Sequence, residues 1–345
     1  MVPVGGNTHP RFARVRKAFE ELGDAGSGLA VVHAGEVVVD LYGGWRDAAR
    51  TEPWTPDTLV HVFSVGKAVV AAALVRVVGE NGENGAGLDD PVAAHWPEFA
   101  AHGKGGTTVR HVLAHAAGLP AFPAPIPDPG DWHGLCALLA DAEPEFPAGT
   151  AVAEHAMTYG HLVGELIRRI DGRMPGEYLR AGYADLDLAL GETPEEQART
   201  AELEYTEPGW PEKTVGPAGS YRRHVLDNPP GWLALDVLNS KAWREAQVPA
   251  VNLHTTALSL ARFYAGLTGE IRTVQAAGED RLLQRHVNWG LGVQVEETGE
   301  FGMGGIGGCD AFANPTRGYA YAYVTRCLGD FDRSERLIEA LEECL

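Results

Sequence analysis

The segment Val62–Ala72, VFSVGKAVVAA, places Ser64 and Lys67 three residues apart at the start of an apolar, alanine-rich stretch. In a helix, this spacing puts both side chains on one face, one turn apart. Ser64 would then lie at the N-terminal end, near free backbone N–H groups and the positive end of the helix dipole. A serine hydroxyl needs a neighbouring base, which a sheltered lysine with a lowered pKa can supply. The spacing predicts an acyl-transfer nucleophile, although a serine cap beside a solvated lysine is the ordinary alternative.

The regions on either side of this segment predict its place in the fold. An amphipathic helix over 10–22 is followed by two apolar runs typical of a β-hairpin and a short strand over 59–64. Mostly helical patterns reach about residue 245, and strand-like alternation then precedes a last helix with Ser334 as its N-cap. This order predicts an α+β protein in which 1–62 and 246–345 form a discontinuous α/β domain. Residues 63–245 form a mostly helical domain, with a cleft between the two.

Composition excludes several classes of function. The 345 residues are 45% hydrophobic and carry a formal charge of -19, with no run of apolar residues that could span a bilayer. An acidic chain without a basic patch is not expected to bind nucleic acid or membranes. The first residues lack the apolar core of an export signal, so a cytoplasmic location is expected. The sequence makes no prediction of oligomeric state.

Two other patterns indicate cofactor or metal sites but fail on context. Gly302, Gly304 and Gly307 match G-x-G-x-x-G, yet a strand-like stretch follows them instead of the helix that a dinucleotide site requires. His111 and His115 form H-x-x-x-H with no evident third ligand, which favours structural histidines over a zinc site. The four cysteines form no C-x-x-C pair. No cofactor or metal is expected.

Three ordered segments resemble one known family. FSVGKAVVAAAL, TTVRHVLAHAAGLP and MTYGHLVGELIRRIDG are similar to motifs of the serine β-lactamase-like superfamily, specifically class C β-lactamases and family VIII carboxylesterases. The late segment NPPGWLALDVLNSKAW resembles the carboxylesterase branch. The resemblance implies a β-lactamase/transpeptidase-like fold. In that fold an antiparallel sheet flanked by terminal helices meets a mostly helical domain, and the active site lies in the cleft between them.

The resemblance also implies roles for the reacting residues. Ser64 would be the acylated nucleophile, and Lys67 with Tyr159 would handle protons. A phenol beside an ammonium has a lowered pKa, so Tyr159 as phenolate is one candidate for the base, and Lys67 is the other. The backbone N–H groups of Ser64 and Ile306 would form the oxyanion hole.

The resemblance further implies a substrate-binding strand. Met303, Gly304 and Gly305 occupy the place of the family's K-T-G or H-G-G motif, where glycines let a strand edge approach the substrate closely. His161 stands where the family has asparagine and would contact substrate. Met303 cannot donate a hydrogen bond to a substrate carboxylate, which disfavours β-lactams and peptide carboxylates.

Four functions remain open from the sequence. The first is a carboxylesterase-type hydrolase that forms an acyl-Ser64 intermediate from a small-molecule ester or amide. The second is a transacylase that passes the acyl group to an amine or alcohol in natural-product biosynthesis, such as that of antibiotics. A β-lactamase or DD-peptidase is less favoured, since no export signal is visible. The last is a non-catalytic binding member of the fold.

Overall fold

The computed structural model describes residues 4–80, 86–126 and 128–345. Most strands lie toward the two ends of the chain, and four two-residue strands of the described structure lie between them. In chain order they are β1 Val4–Thr8, β2 Gly26–His33, β3 Glu36–Gly44, β4 Val60–His61, β5 Leu188–Ala189, β6 Glu204–Tyr205, β7 His254–Thr255, β8 Ala276–Asp280, β9 Arg285–Trp289, β10 Gln294–Val295, β11 Phe301–Gly305, β12 Cys309–Asn314, β13 Tyr319–Thr325 and β14 Cys327–Leu328.

Helices fill the middle of the chain and flank the strands at its ends. They are α1 Ala13–Leu22, α2 Gly66–Glu80, α3 Val92–His95, α4 Val109–Leu113, α5 Trp132–Ala140, α6 Tyr159–Asp171, α7 Pro175–Gly182, α8 Pro194–Gln197, α9 Trp210–Val215, α10 Tyr221–Leu226, α11 Leu235–Leu238, α12 Lys241–Glu245, α13 Ala257–Gly266 and α14 Asp332–Glu342. No helix in the described ranges is long and apolar enough to cross a membrane.

The main sheet joins the two ends of the chain. Its nine strands within the described residues run in the order β1-β3-β2-β13-β12-β11-β10-β9-β8, and every neighbouring pair is antiparallel. The predicted hairpin is present as β2 and β3, and its first strand pairs with β13, where Tyr321 lies opposite Val31. Antiparallel pairing between segments so distant in sequence brings β11 next to the middle of the sheet.

The two faces of this sheet bury different side chains. In β13 the three tyrosines point toward α1 and α14 and share a core with Phe12 and Leu337, whereas Ala320 and Ala322 face the larger core. Successive side chains of a strand point to opposite faces, so this alternation leaves small residues where α13 packs closely on β2 and β13. The large aromatic residues cover the face beneath the terminal helices.

A small sheet connects segments on both sides of the predicted domain boundaries. β7 lies between β4 and β5 and pairs antiparallel with each of them. These strands come from residues 60–61, 188–189 and 254–255, on either side of the positions 62/63 and 245/246. The division of the chain at those positions stays a prediction.

The start of the last helix differs from the prediction. α14 begins at Asp332 with Phe331 as its N-cap residue, so Ser334 is not the cap. Ser334 is instead fully buried, and its hydroxyl donates to the Asp310 carboxylate at 3.1 Å and contacts the Tyr321 hydroxyl at 3.1 Å. A serine near a helix start serves as a cap only when its side chain faces the free N–H groups, and here tertiary contacts hold it elsewhere.

Candidate active site

Ser64 lies in a tight turn between β4 and α2. The turn is a single 3-10 segment, Phe63–Val65, and Phe63 has φ of +50°, a left-handed conformation that non-glycine residues seldom adopt. The Phe63 ring is fully buried and packs against the rings of His61, Trp210 and Trp232, which hold the residue in this conformation. Backbone strain of this kind persists where the surroundings over-determine it, often at functional sites.

Strand β11 approaches this turn very closely. A Cβ atom on Gly305 would lie 2.3 Å from the carbonyl oxygen of Val62, a distance that requires glycine. β10 pairs with β11 only at Phe301 and Gly302, so in the described structure no sheet strand covers the outer edge from Met303 to Gly305. The free edge of β11 therefore borders the Ser64 turn.

Lys67 lies beneath Ser64 and connects it to an acidic residue. Its Nζ donates to Ser64 Oγ at 2.6 Å and lies 3.2 Å from Glu154 Oε1. The Lys67 side chain is fully buried, whereas Ser64 and Glu154 keep 8% and 7% of their surface exposed to solvent. Burial lowers the pKa of Lys67, and the Glu154 carboxylate partly opposes this shift. A lysine of this kind can take a proton from the serine hydroxyl.

Ser64 and Glu154 open into a cavity of about 410 Å³. Of the predicted binding residues, Met303, Gly304 and Ile306 also line it, whereas Gly305 and His161 do not. Most of the other side chains around the serine are apolar, and they include Met157, Leu226, Trp232, Val251, Leu282 and Leu283. Charged groups that line the cavity are Arg222, Arg285, Glu296, Glu300 and Asp310. The cavity has the size and mixed lining of a small-molecule site.

Tyr159 takes a different position from the one that the resemblance implies. Its hydroxyl is fully buried and donates to the Leu113 carbonyl at 3.1 Å, and Tyr159 does not line the cavity. Burial raises the pKa of this phenol well above its usual value, so the expected lowering of the pKa is wrong. A buried phenol that donates to a backbone carbonyl is held in its neutral form. The structure does not join Tyr159 to the Ser64–Lys67 pair.

His161 lies in the core of the helical region and not in the cavity. Its side chain on α6 packs against the rings of Phe122 and Trp132, and neither ring nitrogen has a hydrogen-bond partner in the described structure. Burial lowers the pKa of His161 to about 4, so the ring is neutral at pH 7. The expectation that His161 contacts substrate does not agree with this position.

The two H-x-x-x-H histidines, His111 and His115, accept hydrogen bonds from backbone N–H groups. His111 forms a capping box with Thr108 at the start of α4, and His115 lies beyond the end of that helix with φ of +56°. His115 Nδ1 accepts a hydrogen bond from the His155 backbone N–H at 3.0 Å. The two rings therefore do not share a helix face.

The glycine-rich segment forms an ordinary strand connection. Gly302 and Gly304 belong to β11, and Gly307 has φ of +103° in the turn that leads into β12. No helix follows the turn, as the context predicts.

Glu154 is the site residue that the sequence reasoning missed. It lies in the segment TAVAEHAMTYG, where it is the one acidic residue between Thr150 and Gly160. A single charge in an apolar stretch close to a motif is the signal that could have identified it, because a buried carboxylate requires a partner. Its position five residues before Tyr159 explains why the motif resemblance passed over it.

Comparison with known sequences finds a family and a relative that match nearly the whole chain. The profile of the Beta-lactamase family matches residues 15–344. The Esterase/beta-lactamase LipL of Mycobacterium tuberculosis is 32% identical over an alignment that covers 93% of this chain and 82% of that protein. These matches extend over nearly the whole chain, well beyond the serine motif.

Solved structures show the same architecture. A penicillin-binding protein homolog from Caulobacter crescentus superposes with a TM-score of 0.85 at 35% identity, covering 99% of this chain and 100% of that one. A family VIII carboxylesterase superposes with a TM-score of 0.87 at 29% identity, again covering 99% and 100% of the two chains. The chain therefore has the β-lactamase/transpeptidase-like α+β fold with an antiparallel sheet.

Proposed function

Because the chain belongs to the Beta-lactamase family, we propose that it is a carboxylesterase-type serine hydrolase that acts on small-molecule esters through an acyl-Ser64 intermediate. The observation that carries the proposal is the 2.6 Å contact between Ser64 Oγ and the buried Lys67 Nζ. Ser64 lines a cavity, so the hydroxyl is open to a substrate while its base is sheltered from water. Esterase is also the first activity in the name of the relative LipL.

The reaction would follow from the positions of these groups. In its unprotonated form, Lys67 would take the proton of Ser64 as Oγ attacks the ester carbonyl, and the backbone N–H groups of Ser64 and Ile306 would stabilise the oxyanion. Lys67 then returns the proton to the departing alkoxide. Water attacks the acyl-Ser64 ester in the second half, with Lys67 again as base, and free Ser64 is regenerated.

The lining of the cavity favours an uncharged acyl group. Met303 is 4% exposed and packs with Val287 and Trp289, so its thioether presents no hydrogen-bond donor at the position next to Gly304. Apolar side chains make up most of the remaining lining, including Trp232 and Met157. An ester with a short apolar acyl chain, such as a butyrate, matches this lining.

The proposal is tested by hydrolysis of p-nitrophenyl butyrate and by intact-protein mass spectrometry after addition of a serine-reactive phosphonate. We expect turnover and a single phosphonate adduct, both absent from Ser64→Ala. An adduct that persists in Ser64→Ala would overturn the assignment of the nucleophile. Addition of an amine separates the alternatives, since amide formed faster than free acid would indicate a transacylase.

A further inference from the structure

We propose that Glu154 is the positioning residue of the site, orienting Lys67 toward Ser64 and stabilising the ammonium group that forms when Lys67 takes the serine proton. This inference rests on the proposed function, and it makes Glu154, not Tyr159, the residue that supports Lys67 in the reaction. It is carried by three observations: the contacts of Lys67, the groups around it, and the contacts of Tyr159.

The contacts of Lys67 form a short chain of polar atoms. Nζ lies between Ser64 Oγ at 2.6 Å and Glu154 Oε1 at 3.2 Å. Among the described residues, Glu154 is the only acidic group within ion-pair distance of Lys67. A carboxylate at this distance favours the charged form of a buried amine, and it restricts the direction in which the amine points.

The other ionisable groups near Lys67 are His115 and His155, and neither offers it a negative charge. Burial lowers the pKa of His155 to about 4 and that of His115 well below its usual value. His155 Nε2 accepts from the Leu119 N–H at 3.1 Å, and its Nδ1 lies 2.7 Å from the Ala153 carbonyl oxygen. Both nitrogens of His155 are therefore occupied, which leaves it no role in moving the serine proton.

Tyr159 is excluded from this role by its own contacts. Its hydroxyl donates to the Leu113 carbonyl, and a Cβ atom on Gly292 would lie 2.7 Å from its oxygen. The same Cβ would lie 3.2 Å from the backbone oxygen of Lys67. Tyr159 thus approaches the backbone of α2, while the Lys67 amine extends to Ser64 and Glu154.

These positions allow Ser64 and Lys67 to carry out acylation and deacylation in turn. In acylation, the Oγ–C bond forms while the Ser64 proton moves to the Lys67 amine, which becomes an ammonium paired with the Glu154 carboxylate. The bond from the carbonyl carbon to the leaving oxygen then breaks, and the ammonium protonates the alkoxide. In deacylation the water oxygen bonds to the acyl carbon as one water proton moves to Lys67. The bond from that carbon to Ser64 Oγ then breaks, and Lys67 returns the proton to Oγ as the free acid leaves. Glu154 remains a carboxylate throughout, because its task is to offset the charge on Lys67.

The test compares Glu154→Gln with the wild type across pH, using p-nitrophenyl butyrate. We expect kcat to fall by a factor of about 10² to 10⁴ with a much smaller change in KM. The carboxylate favours the protonated form of Lys67, so its removal lets Lys67 lose its proton at lower pH. The acid limb of the kcat/KM profile is therefore expected to move to lower pH, a shift that loss of packing alone would not produce.

Two further variants complete the comparison. Glu154→Asp keeps the charge with a shorter reach, so we expect intermediate activity and an acid limb near that of the wild type. Tyr159→Phe should stay within about threefold of the wild type. If Glu154→Gln fails to fold, the kcat of Glu154→Asp and the kcat of Tyr159→Phe still test which of the two residues supports Lys67.

The outcomes separate the inference from the proposed function. Mass spectrometry of the wild type with the serine-reactive phosphonate reports labelling of Ser64, and a wild type that is not labelled and does not hydrolyse the ester would contradict the proposed function itself. If Ser64 is labelled but Glu154→Gln keeps the wild-type kcat and acid limb, only the role of Glu154 is overturned. Loss of activity by more than about 10²-fold in Tyr159→Phe would return the role to Tyr159.

Discussion

Helices α2 and α6 pack against each other, and buried polar side chains lie at the start of each. On α2, Lys67 contacts Ser64 and Glu154 beside an open cavity. On α6, Tyr159 donates to a backbone carbonyl, and His161 lies among aromatic rings with both nitrogens unpartnered. Burial shifts the pKa of Lys67, Tyr159 and His161 in the direction that favours the neutral form of each. Of these three groups, Lys67 on α2 is the one that also contacts a nucleophile, Ser64, and an opposite charge, Glu154. A perturbed pKa beside such partners is typical of a reactive site.

The largest effect is expected from Ser64→Ala. Removal of the hydroxyl eliminates the acyl-enzyme, so ester hydrolysis should fall by a factor of about 10⁴ or more. The thermal midpoint should stay near that of the wild type, since the side chain is small and Lys67 is its only side-chain hydrogen-bond partner among the described residues. Initial rates and a thermal melt measure both quantities. Residual turnover near the wild-type level would show that the reactive group lies elsewhere.

Lys67→Met should reduce activity by a factor of about 10³, since the variant keeps the length of the side chain and removes the base. It also leaves the Glu154 carboxylate, 7% exposed, without its partner, so the free energy of unfolding should fall. In the double variant Lys67→Met/Glu154→Gln, part of that stability should return while activity stays low. Denaturant titration checks this coupling. A double variant less stable than Lys67→Met would contradict the pairing.

On α6, His161→Leu is expected to change acid stability and leave activity near the wild-type level. The unfolded histidine has a pKa of about 6.5 and the folded one about 4, so the unfolded state binds more protons below pH 6.5. The wild type should therefore lose up to ~3 kcal/mol of stability, relative to the variant, as the pH falls from 7 to 4. Denaturant titrations at pH 7, 5.5 and 4 measure it. Parallel curves for the two proteins would show that His161 is protonated in the folded state.

The smallest effect is expected from Tyr159→Phe, which removes one buried hydrogen bond, that to the Leu113 carbonyl. The loss should be about 1 kcal/mol, since net contributions of single hydrogen bonds are of that size. Differential scanning calorimetry should report a decrease of roughly 2 °C in the thermal midpoint. An unchanged midpoint would mean that the phenol makes no net contribution to stability in the folded protein.

Much of the fold and part of the site follow from local patterns. The hairpin, the helix after Ser64 and the terminal helices are present because each has a strong periodic pattern. The tryptophans show the limit of such patterns. Trp232 lines the cavity, whereas the indole N–H groups of Trp132, Trp210 and Trp289 are bonded to Glu165, the Gly329 carbonyl and Asp280. Sequence spacing does not distinguish a tryptophan in a cavity wall from one in a core.

The sequence by itself determined the family, the element order and the pair Ser64–Lys67, because a three-residue spacing in a helix is a local geometric fact. Only the tertiary structure decided which group completes the pair. Glu154 reaches Lys67 from a segment 87 residues further along the chain, through the packing of α2 beside the segment that leads into α6. The side chain of Tyr159, five residues later, donates to the Leu113 carbonyl instead. A motif marks residue types along the chain, whereas a proton moves only between atoms within about 3 Å, and folding alone sets those distances.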